Sequence, residues 1–373
     1  MNNRIITAAI IALLTSPLAP WGHAKTPSAG VEASVNRGVV ELETGRSGGI
    51  SVHIAEDLAN VIDDGATRRV LPVIGKGALD NLTDLKALRG IDMAILQVDV
   101  LDYARQQNSF AGIDHWVTYI AKLYNEEFHL LARQDVKTVA DLANQKVNVD
   151  LRGAGTAITA ARLFELMKIP VTATNDDQEV ALDKLRKGEI AAIALVAGKP
   201  APLFRALNGN DGVHFLAIPL NLAVTAAYIP TRLASADYPG LVPNDQPVDT
   251  VAVGAVLLAA NLQQGSERYR NLVNFVEAFF TGFQSLLEPG HHPKWREVNV
   301  TAELPGWRRF PPAEQWLQRN VQVVNAPNLQ DLREIFSRFI DERQQAAGSP
   351  SLSQHQKDEL FGQFELWQKG QQR

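Results

Sequence analysis

The chain has 373 residues, a formal net charge of −5 and no cysteine. The missing cysteine excludes disulfides, thiolate metal sites, a cysteine nucleophile and a lipid-modified N-terminal cysteine, and the mild negative balance leaves no electrostatic footprint for nucleic acid. So long a chain exceeds one typical core, and two lobes with an appendage are expected.

The first residues carry one positive charge at Arg4, an apolar core over residues 5–14 and a small-residue exit at Gly22, His23 and Ala24. That pattern reads as a secretory signal peptide over residues 1–24, cleaved near Ala24 so that the mature chain starts at Lys25. Its apolar run is too short to span a bilayer, and no later stretch approaches the roughly 20 apolar residues a spanning helix needs. Export to the periplasm without an anchor is the expectation. Losing Arg4 takes the formal charge from −5 to −6.

After a polar lead, residues 39–43 read as a strand, and residues 44–49 form a glycine-rich turn bearing Arg46, Ser47, Gly48 and Gly49. A helix follows, with Ala55, Leu58, Ala59 and Ile62 on its apolar face, then a short strand over residues 69–74. Residues 82–97 read as helix, Gly90 and a buried strand over residues 93–96, ending at Gln97. Residues 116–133 form a long β segment interrupted near residues 125–127, long enough to leave one lobe and enter the next.

Residues 146–170 then repeat the opening plan. Val147, Val149 and Leu151 suit a buried strand, and Gly153 and Gly155 turn the backbone tightly. Ala157, Ala160, Ala161, Phe164 and Met167 form one helical stripe that Pro170 ends. Residues 181–196 give helix, Gly188 and strand again, so two similar α/β lobes are predicted. A return crossing falls over residues 248–260, after a turn-rich run at 235–246. A long helix over residues 266–287 buries Leu272, Phe275, Val276, Phe279 and Phe280, and a Pro- and Trp-rich loop region covers residues 289–312. Asn328 caps a further helix with Leu329, Leu332, Ile335, Phe336, Phe339 and Ile340 on one face, and a last amphipathic helix gathers Leu360, Phe361, Phe364 and Trp367.

Most motifs with catalytic overtones fail on context. Residues 45–49 match G-x-S-x-G between a strand and a helix, but the hydrolase elbow follows several strands of a large sheet, and no placed His and Asp partners accompany it. His291 and His292 are adjacent, face different ways and lack a third spaced ligand. Glu126 and Glu127 are neighbours on an extended segment and point to opposite sides, which reads as hinge surface rather than an acid and base pair. No P-loop, dinucleotide fingerprint or HExxH occurs. The reading is therefore not an enzyme, with no cofactor and no metal.

The two glycine turns carry the site. Each opens a helix N-terminus, where free N–H groups and the dipole favour an anion, and each has an arginine, Arg46 or Arg152. Such turns lie at the carboxyl ends of strands, where α/β folds bind ligands. Gly153, Ala154, Gly155 and Thr156 are expected to hold a small anion with a bidentate pair from Arg152. Ser47, Gly48, Gly49 and Gln97 close from the other lobe, with Arg46 the secondary partner.

These residues resemble the TAXI family of solute-binding proteins that serve tripartite ATP-independent periplasmic (TRAP) transporters. The likeness runs over residues 37–319, through the Thr44–Gly45 turn, Asn81, Gln97 with Asp99, Tyr124 with Glu126, Asn148, the turn at residues 153–156, Gly198 with Pro200, Tyr238 to Gly240 and residues 307–317. The resemblance implies an α/β, two-lobed periplasmic-binding-protein fold of type II with two hinge crossings. It also implies a small anionic, carboxylate solute, a place for Gly198 beside it, and membrane subunits of a TRAP-type transporter as partners. The chain departs from the family at Ser51 and Val52, where a pair of tyrosines is usual, and at Ala154, where serine is usual. The expected division is lobe 1 over residues 37–128, lobe 2 over 129–254, a lobe 1 return over 255–319, and a C-terminal helical extension over 320–373. The alternative function is a ligand sensor reporting to a membrane signalling partner, with the extension as its docking element.

Overall fold

The computed structural model describes residues 37–324 and, beyond them, 337, 340, 352–358 and 360–362. The expected leader, the Asn328 cap and the Trp367 end of the tail lie outside the described residues.

Ten strands form one sheet in the order β2-β1-β3-β10-β4-β7-β5-β6, with β8 against β4 and β9 against β10. In chain order they are β1 (Val39–Thr44), β2 (Arg69–Ile74), β3 (Ile91–Gln97), β4 (Val117–Arg133), β5 (Lys146–Asn148), β6 (Thr172–Thr174), β7 (Ala192–Ala197), β8 (Val213–Phe215), β9 (Ile229–Leu233) and β10 (Val248–Ala260). The helices are α1 (Ile50–Ile62), α2 (Ala78–Ala87), α3 (Val98–Arg105), α4 (Ile113–Trp116), α5 (Gly155–Met167), α6 (Gln178–Arg186), α7 (Pro202–Arg205), α8 (Leu222–Ala227), α9 (Glu267–Thr281) and α10 (Pro311–Val324).

Two strands make the sheet into two lobes. The first half of β4 pairs with β10, and from Glu127 onward it pairs with β7. β10 pairs with β9 over Val248 to Ala252 and with β3 over Ala255 to Ala259. Each long strand therefore serves one lobe at one end and the other lobe at the other end. Around β1, β2 and β3 the pairing is parallel, as it is among β5, β6 and β7. Parallel sheets need helices on both faces to bury their apolar side chains, and each lobe has an apolar cluster on both faces.

Some local expectations shift. β4 runs without the expected break at residues 125–127; its pairing with β10 shifts register between Lys122 and Asn125, opposite Val256 and Gly254. β5 stops at Asn148, because Asp150 takes a left-handed φ of 71° that no strand accommodates. The α5 face is broader than the predicted stripe: Ile158, Thr159 and Leu163 are buried while Ala161 is exposed. That helix packs on its own lobe and also against α3 of the other, so more of its circumference is covered. In α9 the five predicted residues are the buried ones, below a Ser266 cap that accepts from the Tyr269 amide at 3.2 Å.

Candidate functional site

The carboxyl ends of β1, β3, β5 and β7 meet in a cleft between the lobes, the place the topology of such sheets reserves for ligands. Its volume is about 680 Å³, and residues 45–51, Gly77, Ala78, Asn81, residues 95–97, Tyr124 and Glu126 line one side. From the other lobe come Asp150, residues 154–156, 177–179, 195–197 and 201–203.

The first glycine turn is built by its own side chains. The Gly45 amide donates to Ser51 Oγ at 2.9 Å, the Gly49 amide closes on the Arg46 carbonyl at 3.2 Å, and Gly48 takes the left-handed φ of 83° that glycine allows. α1 then starts at Ile50 behind Gly49, which offers no capping side chain. In the second turn, α5 starts at Gly155 behind Ala154, which offers no capping side chain. Thr156 Oγ1 accepts from the Val196 amide at 3.0 Å, which pins α5 to β7 and leaves the hydroxyl proton to donate.

Of the residues predicted for the site, Arg46, Ser47, Gly48, Gly49, Gln97, Ala154, Gly155 and Thr156 line the cleft. Arg152, Gly153 and Gly198 do not. Arg152 lies between the left-handed Asp150 and Gly153, and its side chain is exposed. The Gly153 carbonyl accepts from the Leu79 amide of the other lobe at 3.1 Å. Gly198 packs against Ile50 so closely that an added Cβ would sit 1.8 Å from the Ile50 Cδ1.

The lobes touch at several points around the cleft. Arg46 donates to Asp150 at 3.4 Å and to Asp177 at 2.5 Å, both in the opposite lobe. Asp99 Oδ2, at the start of α3, accepts from Thr159 at 2.7 Å and from Tyr228 at 2.9 Å. At Gly155 the approach is tighter still, with an added Cβ 2.1 Å from Gln97 Oε1.

Sequence reasoning missed Asn81, Tyr124, Glu126, Asp150 and Asp177 as cleft residues. Glu126 and Glu127 do point to opposite sides of β4, but neither is hinge surface. Glu127 is buried behind the cleft, accepting from Lys294 Nζ at 2.8 Å and the Lys199 amide at 2.9 Å. Glu126 faces the cleft, 8 % exposed, and accepts from Gln97 Nε2 at 2.5 Å. Burial pushes its carboxyl up to about 7; the charges of Glu127 and Asp99 add to that, against the Gln97 hydrogen bond and the Lys294 charge. Tyr124 is wholly buried, and its hydroxyl has no hydrogen-bond partner among the described residues. The same is true of Asn81 Oδ1. Asp177 could have been found, since it stands just ahead of α6, where its side chain caps the Glu179 amide at 3.1 Å.

The His291 ring and the His292 backbone amide both reach Asp57. His291 Nδ1 lies 3.0 Å from one Asp57 oxygen, and the His292 amide and Trp295 Nε1 donate to the other at 2.8 and 2.9 Å.

A family model described as the NMT1-like family matches residues 42–274. Among solved structures, the chain is similar to the periplasmic binding protein BugD at 14 % identity and a TM-score of 0.47, covering 77 % of this chain and 95 % of that one. It is similar to the periplasmic aliphatic sulphonate binding protein SsuA from Escherichia coli at 15 % identity and a TM-score of 0.41, covering 84 % and 80 %. A third likeness is to the effector binding domain of QuiR in complex with shikimate, at 11 % identity and a TM-score of 0.41, covering 66 % and 98 %.

Proposed function

The chain belongs to the NMT1-like family, and from that premise we propose that it is a solute receptor, closing two lobes over one small molecule without breaking a bond in it. The observation that carries this reading is the cleft itself. A space of about 680 Å³, lined from both lobes, is the size of an ordinary small-molecule site. It lies beside two crossing strands, β4 and β10, whose bending would open it by hinge motion.

Arg46, Ser47, Gly48, Gly49, Gln97, Ala154, Gly155 and Thr156 are the contacts we propose from the sequence, joined by Asn81, Tyr124, Glu126 and Asp150 from the geometry. Export rests on the leader over residues 1–24. Delivery to a TRAP-type transporter rests on the resemblance to the TAXI family over residues 37–319. A carboxylate solute rests on that resemblance alone. The helix starts offer N–H groups to an anion, but Arg46 already holds two carboxylates.

Native mass spectrometry of protein purified from its host without unfolding tests the reading. A single small molecule should co-purify, and small-angle scattering should show a smaller radius of gyration with that molecule than after its removal. No bound mass together with an unchanged radius would overturn the receptor assignment.

A further inference from the structure

We propose that the cleft takes a solute bearing a protonated amine or amidine, held at the floor by the Glu126 carboxylate and the Tyr124 hydroxyl, rather than a free carboxylate. The inference rests on the receptor reading above and names the class of its solute.

The inventory of the cleft is the first argument. Four carboxylate side chains line it, Glu126, Asp150, Asp177 and Glu179, against one cation, Arg46. That guanidinium is spent on Asp150 and Asp177. Bringing a further anion here would place it among like charges, whereas a cation meets uncompensated acceptors.

The second argument is independent of the acid count. Two buried residues of the cleft, Tyr124 at 0 % and Asn81 at 1 % exposure, each carry a polar atom without a partner among the described residues: the Tyr124 hydroxyl and Asn81 Oδ1. A buried polar atom without a partner is costly, and such atoms in a cleft point to what the ligand supplies. Asn81 Oδ1 accepts only, and the Tyr124 hydroxyl accepts as well as donates, so N–H groups on a ligand would satisfy both. Gln97, the donor beside them, is spent on Glu126, and among the described residues no other group donates to that carboxyl. An ammonium or amidinium carries the needed N–H donors and the opposite charge on one atom group. The backbone amides at the starts of α1 and α5 remain for a hydroxyl, carbonyl or ring nitrogen elsewhere on the same solute. Apolar Ile50, Ile95, Leu195, Val196 and Leu203 line the remaining wall.

Binding of this kind moves a proton. The titratable and charged groups around Glu126 are Glu127 and the neutral Tyr124 on its own strand, Asp99 on α3 and Lys294 from the segment Pro293–Glu297. Lys294 is committed to Glu127 and Glu297. With burial pushing the carboxyl up to about 7, an arriving cation expels the proton that part of the molecules carry at neutral pH. Affinity for the amine should therefore rise from pH 6 to pH 8, as long as the amine itself stays protonated.

The test uses the full chain after ligand removal, with a panel of four- to eight-carbon primary amines and amidines and their alcohol and carboxylate isosteres. Amines and amidines should raise the melting temperature and the isosteres should not. Calorimetry of the best amine in two buffers of different ionisation enthalpy should show proton release near pH 7. Glu126→Gln should weaken that amine by about tenfold or more, the worth of one charged hydrogen bond, and abolish the proton release. Tyr124→Phe should weaken it with the proton release retained. Carboxylates that protect where amines do not, or a Glu126→Gln protein that binds the amine as tightly as wild type, overturns the amine inference and leaves the receptor standing. A panel silent in every class, with no co-purified molecule, overturns both.

Discussion

The Arg46 guanidinium donates to the Asp177 carboxylate at 2.5 Å across the cleft, tying the turn before α1 to the residue that caps α6. A second bond from the same guanidinium reaches Asp150 at 3.4 Å. Arg46, expected as the secondary partner of an anion, is thus a strap between the lobes.

Arg46 and Asp177 are 40 % and 38 % exposed, so solvent screens their attraction and the pair is worth about 0–1 kcal/mol. Arg46→Ala should leave urea unfolding within about 1 kcal/mol of wild type. The unliganded radius of gyration should rise, and high salt should produce the same rise in wild type. A loss of several kcal/mol in the urea experiment would show that the strap is part of the fold and not of closure.

Two glycines set how closely the lobes approach. A Cβ at Gly155 would meet Gln97, and one at Gly198 would meet Ile50, in each case a side chain of the opposite lobe. Gly155→Val and Gly198→Val should both hold the lobes apart, weakening solute binding by about tenfold or more at little cost in stability, since each lobe keeps its own packing. Scattering profiles that match wild type with solute bound would mean that Gln97 and Ile50 swing aside.

The pH profile has a sign that can be worked out. Glu126 titrates at about 7 when folded against 4.5 as a free side chain, so its contribution is full below pH 4.5 and is lost as pH rises through 7. Glu43, also raised to about 7 by burial and by Asp84, acts in the same sense. His129 runs the other way. Burial holds it near 4 against 6.5, so its contribution is present above pH 6.5 and lost as pH falls through 4. Stability of the unliganded protein should therefore decline from pH 4.5 to 7, and Glu126→Gln should make that decline shallower by about 1.4 kcal/mol per pH unit. His129→Gln should steepen it. Chemical denaturation at several pH values reads both slopes.

Lys294 is 6 % exposed at its side chain and bonded to Glu127 at 2.8 Å, beneath the point where β4 changes partners. Removing the cation alone leaves a buried carboxylate unpaired, so Lys294→Met should cost about 3–5 kcal/mol in urea unfolding. Lys294→Met with Glu127→Gln should recover most of that loss. If the double variant is as unstable as the single one, packing of the lysine stem and not charge is what the site requires.

Much of the architecture was legible in the chain because burial leaves a local period. Residues 248–260 read as one crossing strand and became β10 at those bounds. Leu272, Phe275, Val276, Phe279 and Phe280 read as one helical face and are the buried face of α9. Both glycine turns were visible too, since a chain that must pass from strand to helix beside a ligand needs residues without a Cβ. Which side chains of those turns reach the cleft was not visible. Arg152 and Arg46 stand in similar local sequence, yet left-handed backbone at Asp150 and Gly153 leaves Arg152 exposed. Arg46 is drawn over carboxylates more than a hundred residues away in sequence. Alternation along β4 fixed that Glu126 and Glu127 part company, but only the pairing with β10 and β7 decided that one meets the cleft and the other Lys294. The charge of a cleft assembled from residues 45 to 255 is a sum over groups brought together by folding. Coulomb interactions depend on distances in space that no local period records.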